Sequence, residues 1–222
     1  MLANNPRAFE APPRGTVYGT LLNFRGALTA LGDSVNRPPL KAPPKAPVLY
    51  IKPRNTYSAD GDAVLLPEGV DALEFGASLA LVIGRTACRL AESDALDAIA
   101  GYAIANDVSV PHQPYYRPSL RFKCRDGFCP IGTIAPRSAV PDPDSLAITV
   151  EVDGEIVQRG HTSALIRPVA RLLADVTEFM TLSRGDLLLI GVPESAPQLR
   201  AGQRATIRID GLGELRNHVV PA

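Results

Sequence analysis

The sequence has no surplus of charge of either sign: 23 lysines and arginines face 23 aspartates and glutamates over 222 residues. A protein that binds nucleic acid by neutralising phosphates needs a basic excess or a basic stripe. Neither is present, so nucleic acid is not an expected partner. No stretch approaches the ~18 consecutive apolar residues of a spanning helix, so no membrane is expected either. The first residues, MLANNPRAFEAPPRG, hold no apolar segment of the kind a secretory signal requires. A cytoplasmic protein is expected. Cysteine is scarce, and the odd set Cys88, Cys124 and Cys129 predicts free thiols. Cys124 and Cys129 lack the partnering cysteine or histidine pair of a zinc site. There is no P-loop, no G-x-S-x-G and no H-E-x-x-H, and Gly211-Leu212-Gly213 lacks the third glycine of a dinucleotide loop. His112, His161 and His218 are scattered without a nucleophile beside them and read as ordinary surface or core histidines.

Proline, by contrast, is plentiful. The 21 prolines and 18 glycines still fall short of the ~25–30% typical of disordered chains. The apolar residues are organised in periodic runs, so proline punctuates a loop-rich fold. Residues 1–14 are expected to be a flexible leader and 15–222 a single domain. Strands are predicted at Thr16 to Asn23, Val48 to Lys52, Phe75 to Ile83 and Tyr102 to Val108. Ser93 is a candidate N-cap for a short helix, Asp94 to Ala100, stopped by Gly101. Asp153-Gly154 is the strongest hairpin turn, between Leu146 to Val152 and Glu155 to Gln158. The best helix is Pro168 to Met180, whose Val169, Leu172, Leu173, Val176, Phe179 and Met180 share one face. Further strands follow at Leu187 to Ile190, Ala205 to Asp210 and Glu214 to Val220. Many strands, few helices and no regular β-α alternation predict a β-rich α+β fold.

One polar cluster stands out, from Asn106 to Asp126. Asp107 falls where a strand runs into a loop, and Arg121, Lys123 and Arg125 are expected on a second strand. Arg117, Tyr115 and Tyr116 lie between. A strand end offering one carboxylate and several cations can hold a small dicarboxylate. Composition by itself favours the plainer account, a solvated ion-pair network.

The wording of the motifs favours the former. Ala80-Leu-Val-Ile-Gly84, Ile99-Ala-Gly-Tyr102, Asn106-Asp-Val-Ser109, Lys123, Gly154 with Gln158, and Arg184-Gly-Asp186 occur in the order of the fumarylacetoacetate hydrolase family. The resemblance runs from about Gly15 to Val220. Lys41-Ala-Pro-Pro-Lys45, Ile51-Lys-Pro-Arg-Asn-Thr56, Tyr116-Arg-Pro118 and Lys123-Cys-Arg-Asp-Gly-Phe-Cys-Pro130 resemble the N-terminal half of the family's isomerase/decarboxylases of 4-hydroxyphenylacetate (homoprotocatechuate) breakdown. Those have two homologous halves, fused or as separate subunits.

The resemblance implies a mixed β-sandwich roll with few short helices, holding a divalent metal, Mg²⁺ or Mn²⁺. Family members hold it through a Glu-x-Glu pair and the Asp of Asn-Asp-Val-Ser, and an oxo-acid substrate can chelate it. It implies substrates such as 5-oxopent-3-ene-1,2,5-tricarboxylate and 2-hydroxyhepta-2,4-dienedioate, and a homologous metal-binding subunit or a homodimer as partner. Asp107 and Lys123 become the catalytic candidates; Arg117, Gln158 and Arg125 become the substrate-binding candidates.

This sequence departs from that pattern where the metal should sit. The two glutamate positions are Gly76 and Ser78, leaving Asp107 as the remaining ligand. Glu74 is expected to point to the opposite strand face. The histidine and glutamate of the family's early loop fall on Ala27 and Ala30, and the threonine of its late T-G-T-P motif is Val192. A metal is therefore expected to be weak or absent in this chain. With Lys123, Arg121 and Arg125 retained, the pocket is expected to be more positive than in a metal-binding relative.

Overall fold

The structure, a computed structural model, describes residues 15–112 and 119–222. The expected leader and Arg117 lie outside the described residues. Two sheets dominate. The six-stranded sheet runs, edge to edge, through Val48–Lys52, Val17–Leu21, Leu187–Leu189, Ala77–Ile83, Ile99–Asn106 and Ala135–Pro136. The five-stranded sheet runs through Glu155–His161, Ala147–Val152, Arg204–Ile209, Gly213–Pro221 and Ala63–Leu66. Parallel and antiparallel pairs are mixed in both. This is the β-rich α+β arrangement expected.

Every residue of Ala77–Ile83 is buried, because both faces of that strand are covered. Leu79, Leu81 and Ile83 enter the main core with Ile104, Ile148, Ile207 and Leu215 from both sheets. The alternate residues Ala80 and Val82 face a second cluster with Ala103, Ala105 and Leu189. Large side chains thus alternate with small ones, following the two-residue period of a strand. The helix Val169–Phe179 buries Val169, Leu172, Leu173 and Val176, each contributing about 1.5–3 kcal/mol on burial. Phe179 ends that apolar stripe yet is 62% exposed, since the helix stops as the stripe reaches the rim.

Three local expectations differ from the structure. The helix after Arg89 is a 3₁₀ segment, Glu92–Ala98, so Ser93 lies inside it and bonds Asp94 instead of capping. Strand structure resumes at Ile99, two residues before Gly101. Gly101 is a site of close approach, where a Cβ would collide with the Ala135 carbonyl, and not a helix stop. The segment expected as a second strand is a helical turn, Leu120–Lys123. Asp153-Gly154 does make the hairpin turn, with φ of 50° and 92°, the left-handed pair such turns need. Among the described residues, no helix is long and apolar enough to cross a membrane.

Candidate functional site

The site is built where the Ile99–Asn106 strand ends. Asp107 follows that strand directly, its N–H donating to the Gly76 carbonyl at 2.8 Å. Its side chain is 1% exposed, and the carboxylate is met from three directions. Lys123 Nζ donates to Oδ2 at 2.6 Å, and the Tyr50 hydroxyl donates to the same oxygen at 2.5 Å. Lys52 Nζ lies 2.8 Å from Oδ1. The Lys52 ammonium directs its three N–H bonds to the carbonyls of Val108, Lys123 and Phe128. Its contact with Oδ1 is therefore one of charge, and Oδ1 accepts no hydrogen bond.

Sequence explains how these groups converge. Tyr50 and Lys52 are two apart on one strand and share a face. Tyr50 stands opposite Gly19 in the register, and a Cβ at Gly19 would land on the Tyr50 ring. The missing side chain lets the ring lie flat across the neighbouring strand and deliver its hydroxyl to Asp107. Lys123 closes the helical turn Leu120–Lys123, which sets it over the Tyr50 ring at 4.8 Å.

Burial alone would raise the Asp107 pKa, but the Lys123 and Lys52 ammoniums overcome it and hold the carboxyl well below the usual carboxylate range. Burial, then Asp107, pushes the Tyr50 phenol well up, and burial pulls the Lys52 ammonium down despite Asp107. Burial also lifts the Cys129 thiol to about 12, which leaves it unreactive.

Beside this cluster opens a cavity of about 170 Å³, suited to a small metabolite. Tyr50, Glu74, Asp107, His112 and Lys123 line it, as do Ala27, Ala30 and residues 192–196. The structure thus brings together Asp107 and Lys123. Gln158 stands behind the wall: its Nε2 donates to the Pro193 and Glu194 carbonyls at 3.2 and 2.7 Å, fixing the loop that lines the cavity. Arg125 is outside the lining, its Nε bonded to the Arg121 carbonyl. Arg117 lies outside the described residues. Among the described residues, the lining sets Lys123 against Glu74, Asp107 and Glu194. Arg121 and Arg125 are not among the lining residues.

The positions of the expected metal ligands are closed. A Cβ at Gly76 would lie 2.8 Å from the Asp107 carbonyl oxygen and 2.8 Å from Val192 Cγ2. Ser78 is fully buried and bonds the next carbonyl. Glu74, however, lines the cavity, contrary to the opposite-face expectation. Positions 74, 76 and 78 are two residues apart, so alternation places them alike. Burial raises the Glu74 carboxyl above its ordinary range, against the pull of Lys123.

Sequence reasoning missed four groups: Tyr50, Lys52, Glu74 and His112. A lysine inside a strand of otherwise apolar character was the available sign for Lys52. His112, expected to be an ordinary histidine, stacks on Phe122 with ring centroids 4.7 Å apart and planes 3° off parallel.

Residues 16–220 match the fumarylacetoacetate hydrolase C-terminal family. The chain belongs to that family. It is 44% identical over 207 residues to the 4-hydroxyphenylacetate degradation bifunctional isomerase/decarboxylase of Salmonella dublin, covering 93% of this chain and 47% of that protein. The chain therefore spans about half the length of that relative. It is also 37% identical to a mitochondrial oxaloacetate tautomerase of Arabidopsis thaliana, covering 87% of this chain and 86% of that one. The solved structure of a fumarylpyruvate hydrolase from Pseudomonas aeruginosa, in complex with Mn²⁺ and pyruvate, superposes with a TM-score of 0.82 at 29% identity. That match covers 93% of this chain and 90% of that one.

Proposed function

We propose that this chain is one of two homologous subunits of an isomerase/decarboxylase of 4-hydroxyphenylacetate breakdown. The assembly acts on 5-oxopent-3-ene-1,2,5-tricarboxylate and 2-hydroxyhepta-2,4-dienedioate, beside a second, metal-binding subunit, in the cytoplasm. What supports the pathway is the 44% identity to one half of a bifunctional isomerase/decarboxylase. What supports the division of labour is the state of Asp107. A hard divalent cation needs several free oxygens, and here the one carboxylate left from the family's set already faces two ammoniums and a phenol. The donor set does not fit such an ion. Instead, Lys123 keeps N–H bonds beyond the one given to Asp107. A cation fixed in a buried cavity stabilises the negative charge that develops on oxygen when an oxo-acid enolises or loses CO₂.

The purified chain, supplied with Mg²⁺ or Mn²⁺, is expected to decarboxylate weakly, and adding the metal-competent homologous subunit to restore full turnover. Full Mg²⁺-dependent turnover by this chain alone would overturn the division. A second reading is a purely structural partner, favoured by the internal saturation of the Asp107 cluster. Lys123→Ala in the assembled complex separates the two: an unchanged rate with intact assembly supports the structural role.

A further inference from the structure

We propose that His112 is the proton-transferring base of this cavity, with Glu74 beside it as the group that offsets the charge the imidazole acquires. The inference rests on the cavity being an oxo-acid site, and it names the residue that does the chemistry there.

The hydrogen bonds fix which nitrogen is available. His112 Nδ1 lies 2.9 Å from the Val110 carbonyl, which can only accept, so Nδ1 carries the proton. The second neighbour agrees. Ser109 Oγ gives its own proton to the Val110 carbonyl at 2.9 Å, so at 3.2 Å from Nδ1 it can only accept. With both partners demanding N–H at Nδ1, the neutral ring presents its lone pair at Nε2. No hydrogen-bond partner holds Nε2 among the described residues, and the ring lines the cavity. Stacking on Phe122 holds the ring plane, and the Val110 N–H to Phe122 carbonyl bond ties the two segments together at 3.0 Å.

The other polar groups of that wall are committed. Asp107 is held as an anion by two lysines, and the Tyr50 hydroxyl is spent on it. A carboxylate so stabilised is a poor base, and a phenol that donates to a buried anion does not ionise readily. Glu74 is anchored through paired backbone hydrogen bonds to Ser109, at 2.8 and 3.0 Å. The same Ser109 contacts the imidazole, so both groups hang from one short stretch of chain. Ala27 and Ala30 in the lining offer no functional group, and the Glu194 carboxylate and Ser195 hydroxyl that also line the cavity come from the loop fixed by Gln158.

The step balances without a co-reactant. Nε2 takes the proton from the carbon next to the substrate's 2-oxo group. The C–H electron pair becomes the C=C bond of the enolate, and the carbonyl pair moves onto oxygen, where free Lys123 N–H bonds meet it. The imidazolium then returns the proton to another carbon of the conjugated system, a 1,3-shift with no net redox change. The Nδ1–H stays on the Val110 carbonyl, and the Glu74 carboxylate in the same lining offsets the imidazolium charge through space.

The test uses the full chain with pyruvate in D₂O, following methyl exchange by proton NMR, and calorimetry with oxalate as an enolate mimic. The wild type is expected to bind oxalate and exchange the pyruvate methyl. His112→Asn, which keeps a donor toward Val110, and His112→Phe, which keeps the stacking, are expected to lose about 100-fold or more in exchange. Both should keep oxalate affinity within about threefold, the pattern of a group that acts only in the transition state. Exchange that survives in both variants, or a wild type that binds oxalate without exchanging pyruvate, overturns the role of His112 and leaves the oxo-acid site standing. A wild type that binds neither compound overturns both.

Discussion

Two carboxylates line the same cavity and have opposite fates. Asp107 meets two ammoniums and a phenol, and these hold it ionised far below the ordinary range despite full burial. Glu74 has no ion pair among the described residues, and burial pushes its carboxyl up. Identical chemistry is thus divided by surroundings into a fixed charge and a group able to change protonation. Paired ammoniums on one side and plain burial on the other drive the pKa values of the two carboxyls in opposite directions.

The comparison breaks most severely if Asp107 is removed. Asp107→Ala leaves Lys52 and Lys123 buried without a counter-charge and is expected to cost about 3–5 kcal/mol, measured by urea unfolding. The pH dependence carries the same sign. The folded Asp107 value lies below the unfolded value near 3.9, so its contribution is complete above that and drains away as the pH falls through the folded value. Asp107→Asn should flatten that part of the acid-unfolding curve; an unaltered acid limb would show that the cluster is not what acid breaks.

Next in size is Gly19→Val, which drives a side chain into the Tyr50 ring and is expected to cost about 1–3 kcal/mol by overpacking. Lifting the phenol off Asp107 should also make the tyrosine hydroxyl titrate at lower pH in ultraviolet difference spectra. Gln158→Ala frees the Pro193 and Glu194 carbonyls, at about 1–2 kcal/mol. Faster amide exchange over residues 194–196 would locate the effect in the cavity wall.

The smallest effect has the reverse sign. Glu74's folded value is raised, so the stability of its neutral form is full below the unfolded value near 4.3 and lost as the pH rises through the folded value. Glu74→Gln is therefore expected to raise the melting temperature slightly at neutral pH and to leave it unaltered in acid. A lower melting temperature at pH 7 would mean that Glu74 has a cationic partner.

Much of this molecule is legible from residue pattern. The Asp153-Gly154 hairpin follows from two residues that tolerate positive φ, and the Val169–Phe179 helix from a repeating apolar stripe. Motif wording identified the family and singled out Asp107 and Lys123, which the structure brings into contact. The Leu120–Lys123 turn was less legible, because four residues carry too little periodicity to distinguish a helical turn from a strand. Glu74 keeps the two-residue alternation with positions 76 and 78, which places it in the cavity lining.

Sequence by itself determined the class of fold and the family, and it carries the expectation that Gly76 and Ser78 stand where the family has acidic ligands, since these depend on local pattern and residue identity. Tertiary structure decided how the remaining groups divide their work. Lys52 lies 55 residues before Asp107, and its charge contact exists because strands far apart in sequence converge at one sheet end. Whether a carboxylate is locked or free depends on what stands within a few ångströms of it, and that is set by packing across the whole chain.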